Sequence, residues 1–294
     1  MTAAPMWQTW LFVWAAIVAI VATLVFEPDL TTQALVLAPF VAVFGLPHGA
    51  LDLPISEALW PLRGWRAKAL FSCLYLGISG LVVLLWIAFP GPSLAAFLIY
   101  SAVHFSGDWI DDAVALRWSG GAAAIGAPAV FHHDDVARIF GYLAPERSAT
   151  LTATGLAMVG GAALLAFSAM LLVQPAMRTR AATEQAAIWI AAALLTPLLY
   201  FIVYFCALHS VRHTVGTVAV LKNAKKAVLT AGALAAITAL AAVASIMFLN
   251  DGNAGSSVQS ISQTIFIGLA ALTVPHMALV DQFQRRKNRL SAAL

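Results

Sequence analysis

The stretch MWQTWLFVWAAIVAIVATLVF, which runs from Met6 to Phe26, contains no charged side chain. A helix needs about 20 consecutive apolar residues to cross the hydrocarbon core of a bilayer. This stretch also lacks the basic residues and the small-residue cleavage site of a secretory signal, so it predicts a retained membrane span. A bilayer, rather than water, is therefore the expected solvent for this helix.

The rest of the chain continues the same pattern, because 62% of its 294 residues are hydrophobic, only 10% are charged and the mean hydropathy is +0.88. A soluble domain has about 25% charged residues, so this chain has too few to cover a water-exposed surface. We predict an all-α, polytopic transmembrane helical bundle that forms one integral-membrane domain over residues 1–294. Its expected location is the inner or plasma membrane of the cell, and the net charge of +3 gives no indication of nucleic-acid binding.

Apolar runs long enough to span a bilayer recur along the chain, and two shorter runs lie between them. The short runs, at about 118–131 and 182–196, are interpreted as short or tilted spans. If both cross, the chain has about ten spans; if neither crosses, it has eight. The long runs are at about 7–26, 32–59, 66–89, 93–116, 149–174, 197–221, 228–249 and 257–283.

Basic residues in the loops decide between these two topologies. Cytoplasmic loops carry an excess of lysine and arginine. Ten spans place all the basic clusters on one side, whereas eight spans place Arg178 and Arg180 on the other. We therefore predict ten spans with both termini cytoplasmic. The clusters are Arg63 with Arg66 and Lys68, Arg178 with Arg180, Lys222 with Lys225 and Lys226, and the tail Arg285, Arg286, Lys287 and Arg289.

Histidines interrupt the apolar runs within the motifs FGLPHGALD (44–52), VHFSGD (103–108), LHSVRH (208–213) and VPHM (274–277). In the ten-span topology, the four runs that contain these motifs cross in the same direction. At about 1.5 Å per helical residue, His48, His104, His209 and His213 all lie roughly 16 to 24 Å from the outer ends of their spans. A similar depth on neighbouring helices predicts a metal site. His276 comes out deeper, at roughly 28 Å, and is an additional polar site without an assigned role.

The spacing of the polar residues supports this metal site. His209 and His213 are four residues apart, so both project from one helix face and can bind one ion. Asp52 and Asp108 each follow a histidine by four residues, and each is predicted to orient that histidine by a hydrogen bond to its second ring nitrogen. An aspartate at the centre of a span costs about 2.5–3.5 kcal/mol, which indicates a function.

Small and aromatic residues surround the histidines in the sequence. Gly49 and Gly107 are predicted to allow close helix approach or substrate access. His132 and His133 lie beside two aspartates at a predicted membrane edge, where an interfacial loop or helix start is expected rather than a metal ligand. Several aromatic side chains either pack between helices, which is the more common role, or line a substrate site: Phe44, Tyr100, Phe105, Trp109, Tyr204 and Phe205.

The histidine ligands and their apolar surroundings together indicate the type of reaction. Imidazole ligands suit iron, copper or zinc, and the ligand type alone does not choose among them. A site deep among apolar helices is reached most readily by a lipophilic substrate and by dioxygen. Iron(II) with neutral imidazoles can bring dioxygen to an electron-rich alkene, so we infer an oxygenase that acts on a lipid or isoprenoid.

These motifs resemble the Brp/Blh family of membrane β-carotene 15,15′-dioxygenases over about residues 40–283. The elements that carry the resemblance are GLPHG with Asp52, HF with Asp108, and YF followed by HSVRH at 209–213. The C-terminal PHM at 275–277 also fits the pattern. The resemblance implies iron held by His48, His104, His209 and His213. It also implies cleavage of β-carotene by dioxygen into two all-trans-retinals, which would supply a retinal-binding rhodopsin.

Two other classes of protein are compatible with intramembrane histidines. Membrane hydroxylases and desaturases use histidine boxes around two irons, but they need about eight histidines, and this chain has seven and no HxxHH box. Proton or ion transporters use His/Asp pairs as relays. The number of metal ions per chain discriminates among the three.

Overall fold

The computed structural model describes residues 5–60, 62, 64–250 and 254–291, and it describes side chains at all of these except 254–255 and 284–291. Arg63 and the basic side chains at 285–289 therefore lie outside the described part. All regular elements in the described ranges are helices, which confirms the predicted all-α class. The α-helices are α1 (Met6–Phe26), α2 (Leu30–Phe40), α3 (Leu46–Gly49), α4 (Asp52–Leu59), α5 (Gly64–Ala88), α6 (Pro90–Ser106), α7 (Val114–Phe131), α8 (His133–Gly141), α9 (Glu146–Val173), α10 (Arg180–Leu194), α11 (Pro197–Tyr204), α12 (Ser210–Val218), α13 (Ala224–Leu249) and α14 (Ala254–Ser291).

Within the described residues, seven helical stretches are long and apolar enough to cross a membrane. They agree with seven of the eight long runs predicted from the sequence. The stretches are Met6–Phe26, Leu30–Leu59, Gly64–Ala88, Glu146–Val173, Pro197–Val218, Ala224–Leu249 and Ser256–Phe283.

The eighth predicted run, 93–116, is not one continuous helix. α6 ends at Ser106, a 3₁₀ turn covers Gly107–Trp109, and α7 begins only at Val114. Glycine and aspartate favour turns over helix interiors, and Gly107, Asp111 and Asp112 are concentrated at this break. The break means that His104 and Asp108 do not share an α-helix.

The two short predicted runs correspond to α7 and α10, which lie inside the bundle. α7 exposes few large side chains and packs through small ones, so neighbouring backbones come close. At the contact of α7 with α9, a Cβ built on Gly126 would lie 2.7 Å from the Cα of Gly160. Ten of the residues of α7 are buried, among them Gly120, Ala123, Ala127 and Ala129.

The outer face of the bundle is formed by large apolar side chains. Leu24, Leu172 and Phe248 are 73%, 78% and 90% exposed, respectively. In water such a surface would aggregate, whereas hydrocarbon solvates it. The polar groups accordingly lie in the interior, where the helices surround a buried cluster of histidines.

Candidate metal centre

Five of the seven histidines lie side by side in the interior. They are His48 of α3, His104 of α6, His209 directly before α12, His213 within α12 and His276 of α14. The centroids of neighbouring rings are between 4.8 Å, for His104 and His209, and 6.3 Å, for His104 and His213. The four histidines predicted as ligands are therefore brought together. His276 joins them, with its ring centroid 5.0 Å from that of His213.

Two π-helical turns lead into this cluster. Val41–Gly45 directly precedes α3 with His48, and Phe205–His209 ends at His209. Such turns are rare and frequently occur at functional sites. The two turns pack together so closely that a Cβ on Gly45 would lie 2.7 Å from a ring carbon of Phe205. Glycine at position 45 therefore permits this contact.

The glycines singled out in the sequence have a different role from the one predicted first. A Cβ on Gly49 or on Gly107 would have nothing within 4 Å, so neither residue permits a close helix contact. Gly49 instead lines the internal cavity described below, which agrees with the alternative of substrate access.

Each aspartate orients a histidine of another helix, so the predicted pairing with the histidine four residues earlier is wrong. Asp108 lies 3.1 Å from Nδ1 of His209. Asp52 lies 2.7 Å from Nδ1 of His276. Nδ1 of His48 contacts the carbonyl oxygen of Gly45 instead. The physical reason is that the α-helix is interrupted between the members of each pair, since α3 ends at Gly49 before Asp52, and α6 ends at Ser106 before Asp108. The spacing of four residues therefore does not place the pair on one helix face, and each aspartate meets a histidine of a facing helix instead.

The cluster fits a metal ion because several ring nitrogens are free to bind one. Nε2 of His209, Nδ1 of His213 and Nε2 of His276 are buried and have no hydrogen-bond partner. His48, His104 and His276 each offer one ring nitrogen, and these three nitrogens lie within 4.8 Å of one another. Nitrogens on opposite sides of one ion, each at about 2.1 Å, are separated by about 4.2 Å. The spacing therefore suits a single transition-metal ion, and imidazole suits iron, copper and zinc.

A buried carboxylate fixes the helix that contains two of these histidines. Glu184 of α10 is fully buried and accepts hydrogen bonds from Arg212 at 2.7 Å and from Trp109 Nε1 at 2.9 Å. Arg212 also donates to the backbone carbonyl of Asp108 at 2.9 Å. Because Arg212 lies between His209 and His213, this network sets the rotation of α12.

An apolar cavity of about 290 Å³ adjoins the cluster. Its wall includes His48, His104 and His276, so three of the five rings border it. The remaining wall is mostly aliphatic and aromatic, as expected of a pocket for a hydrophobic ligand. It includes Phe97, Leu98, Phe140, Phe201 and Phe266.

Comparisons with known proteins point to one family. A family described as "Beta-carotene 15,15'-dioxygenase" matches residues 40–284. The chain is 30% identical over 254 residues to the "Beta-carotene 15,15'-dioxygenase" of an uncultured marine bacterium, 66A03, covering 82% of this chain and 90% of that protein. It is also 25% identical over 305 aligned positions to the "Probable beta-carotene 15,15'-dioxygenase Blh" of Halobacterium salinarum, covering 84% of each chain. No solved structure matches this chain.

This chain belongs to the β-carotene 15,15′-dioxygenase family. The resemblance seen in the sequence motifs is thereby confirmed. The matched region of the β-carotene 15,15′-dioxygenase family, 40–284, contains all five clustered histidines and both aspartates.

Of the aromatic residues predicted to line a substrate site, only some border the cavity in this member of the β-carotene 15,15′-dioxygenase family. Phe105 and Phe205 contribute to the cavity wall. Trp109 and Tyr204 are buried and donate hydrogen bonds to Glu184 and Asp108. Phe44 is 52% exposed on the outer face. Tyr100 lies 3.4 Å from the carbonyl oxygen of Val274.

Histidines 132 and 133 lie away from the cluster, as the sequence predicted. His132 precedes the first turn of α8, and His133 contacts Asp134 at 2.9 Å and Thr154 at 3.1 Å. They border the end of a helix and have no contact with the five clustered rings in the described structure.

Sequence reasoning missed two side chains that support the centre. Glu184 lies in the short apolar run 182–196, where an ionisable residue signals a buried function. Tyr75 donates a hydrogen bond to Asp52 at 2.7 Å, and no feature of the sequence distinguishes it from an ordinary tyrosine of a membrane helix.

Proposed function

We propose that this protein cleaves β-carotene at its central 15,15′ double bond, with dioxygen, to give two all-trans-retinals. The observation that carries the proposal is a cluster of five imidazoles, three buried and two partly buried, several with unpartnered nitrogens, beside an apolar cavity. The substrate comes from the printed names of the relatives. Such an enzyme is a carotenoid-cleaving dioxygenase, and its product would supply a retinal-binding rhodopsin.

The metal in this proposal is iron(II), held by His48, His104, His209 and His213. Bound iron(II) supplies the redox chemistry that lets dioxygen react with an alkene. Asp108 holds the proton of His209 on Nδ1 and leaves Nε2 available as a ligand, which is the arrangement by which carboxylates raise the basicity of liganding histidines. Asp52 acts in the same way on a histidine of the cluster.

The protein's own contribution is to position and enclose the substrate. The apolar cavity holds the polyene with its central bond beside the histidines and excludes water. Overall, one carbon–carbon double bond breaks and each oxygen atom of dioxygen ends in one aldehyde. The atoms balance without an external reductant.

The ten-span topology, with both termini cytoplasmic and the protein in the cell membrane, also belongs to the proposal. Arg180 forms an ion pair with Asp112 at 3.3 Å. Gln263 donates to the carbonyl of Tyr142 at 2.9 Å. Ten spans place the two partners of each contact on the same side of the membrane, whereas eight spans place them on opposite sides. Both contacts therefore favour ten.

The grouping of the histidines also argues against the alternative function of a hydroxylase or desaturase. Those enzymes hold two irons in separate histidine boxes, whereas the five rings here surround one point. One iron per purified chain is expected, and two would favour hydroxylation. Proton movement by a metal-free preparation would instead favour a transporter.

The test is the activity of a purified His209→Ala variant. We expect loss of retinal production, because His209 is buried and its Nε2 has no other partner. His133→Ala serves as the matched control, because it removes a histidine outside the cluster. Full retinal production by His209→Ala would contradict the ligand assignment.

A further inference from the structure

The two ring nitrogens of His276 are placed like those of His209, which is assigned above as a ligand: one meets an aspartate, and the other has no hydrogen-bond partner. Nδ1 of His276 lies 2.7 Å from Asp52. Its Nε2 is buried and has no hydrogen-bond partner. Because the hydrogen bond to Asp52 places the ring proton on Nδ1, Nε2 is left with a free lone pair in the neutral ring. A free, buried lone pair of this kind is expected to have a partner that the protein itself does not provide.

The two aspartates form two units of the same composition. Tyr204 donates to Asp108 at 2.8 Å, and Asp108 accepts from Nδ1 of His209 at 3.1 Å. Tyr75 donates to Asp52 at 2.7 Å, and Asp52 accepts from Nδ1 of His276 at 2.7 Å. Each unit joins a tyrosine, an aspartate and a histidine, and in each the aspartate comes from a different helical stretch than the histidine. If one unit presents a ligand to a metal, the other is built to do the same.

The position of His276 also agrees with a role as a metal ligand. Its ring centroid lies 5.4 Å from that of His48 and 5.5 Å from that of His104. Its ligand nitrogen lies within 4.8 Å of theirs. The helix around it is fixed as well, because Tyr75 and Tyr100 both lie within hydrogen-bond distance of α14 carbonyl oxygens near Pro275.

We propose that His276 is a fifth ligand of the metal and that Asp52 and Tyr75 are its positioning residues. This inference rests on the metal centre of the proposed function. It adds a histidine that the four-ligand set omits and gives Asp52 a specific partner. It also places His276 among the ligands that border the substrate cavity.

The experiment is a titration of iron(II) into chelator-treated protein, without substrate, for wild type, His276→Gly and Asp52→Asn. His276→Gly is expected to lose at least about tenfold in iron affinity, and Asp52→Asn roughly 10–100-fold, as is typical when the partner of a metal-bound histidine is removed. His133→Ala is the control and should bind as wild type does. The electron paramagnetic resonance spectrum of the nitric oxide adduct of the iron(II) protein is the second readout.

Chemical rescue separates a lost ligand from a lost fold. Added imidazole should enter the space left in His276→Gly and restore iron affinity and the wild-type spectrum. Wild-type affinity and an unchanged spectrum in His276→Gly would overturn the inference. If that variant does not fold, Asp52→Asn decides, and unchanged iron affinity there would also overturn it. Failure of the wild type to bind iron would instead overturn the proposed function.

Discussion

At the scale of single residues, Asp108 does two tasks with one carboxylate. It accepts the Nδ1 proton of His209 and the hydroxyl hydrogen of Tyr204. Burying a carboxylate is costly unless it is hydrogen-bonded, and these two bonds satisfy it. The choice of ring tautomer at His209 depends on this residue, and in the proposed metal centre it decides which ring nitrogen would bind the metal.

Replacing Asp108 is therefore expected to weaken metal binding without removing a ligand. Asp108→Asn should lower iron affinity roughly 10–100-fold, because the neutral amide no longer raises the basicity of His209. Tyr204→Phe removes a single hydrogen bond, worth about 1 kcal/mol, and should have a smaller effect. Iron titration of the two purified variants measures both. Equal affinities for Asp108→Asn and wild type would contradict the role assigned here.

At the scale of helices, α12 is held in place by a buried ion pair as well as by apolar packing. Arg212 projects from α12 to the buried Glu184 of α10, and Arg180 contacts the same carboxylate at 2.6 Å. Breaking a buried ion pair from one side leaves the remaining charges uncompensated. The network therefore ties the rotation of the helix that contains His209 and His213 to the position of α10.

Removal of this carboxylate should lower both stability and function. Glu184→Ala is expected to reduce the free energy of unfolding by about 3–5 kcal/mol, which is the usual effect of breaking a buried pair. Denaturation in detergent micelles, followed by circular dichroism, measures this change. Thr183→Ala, at the exposed neighbouring position of α10, is the control and should remain near wild type. A wild-type unfolding curve for Glu184→Ala would show that the pair does not stabilise the bundle.

At the scale of the whole molecule, the bundle contains an apolar cavity whose wall includes three of the five clustered histidines. Leu98 of α6 lines this cavity, whereas the next residue, Ile99, is 68% exposed on the outer face. A tryptophan at position 98 would therefore fill part of the cavity, whereas a tryptophan at position 99 would extend into lipid.

Leu98→Trp is expected to reduce the conversion of β-carotene while leaving the iron content unchanged, because the larger ring occupies space needed by the polyene. Ile99→Trp should leave both quantities unchanged. Retinal formation and iron per chain are measured on each purified variant. Equal retinal formation by the two variants would contradict the assignment of this cavity to the substrate.

The topology can be tested with truncations fused to alkaline phosphatase, which is active only outside the cytoplasm. Ten spans place the loop after Leu143 outside and the loop at Arg178 inside, so the fusion at Leu143 should be active and the fusion at Arg178 inactive. Eight spans predict the opposite result at both sites. The basic loops and the contact between Arg180 and Asp112 both favour the first outcome.

The sequence by itself determined the helical class, seven of the long apolar helical stretches and the candidate site residues. These features depend on local sums: the length of an apolar run, and the free-energy cost of a histidine or aspartate within it. The depth of each histidine could also be counted along runs predicted to cross in the same direction. This count predicted a similar depth for His48, His104, His209 and His213.

Only the tertiary structure decided which aspartate serves which histidine, and that His276 joins the other four. These depend on how each helix is rotated about its axis against its neighbours. The two π-helical turns, the break after Ser106 and the contact of Arg212 with Glu184 set that rotation. Spacing within one helix predicted Asp52 with His48, but packing between helices placed it against His276.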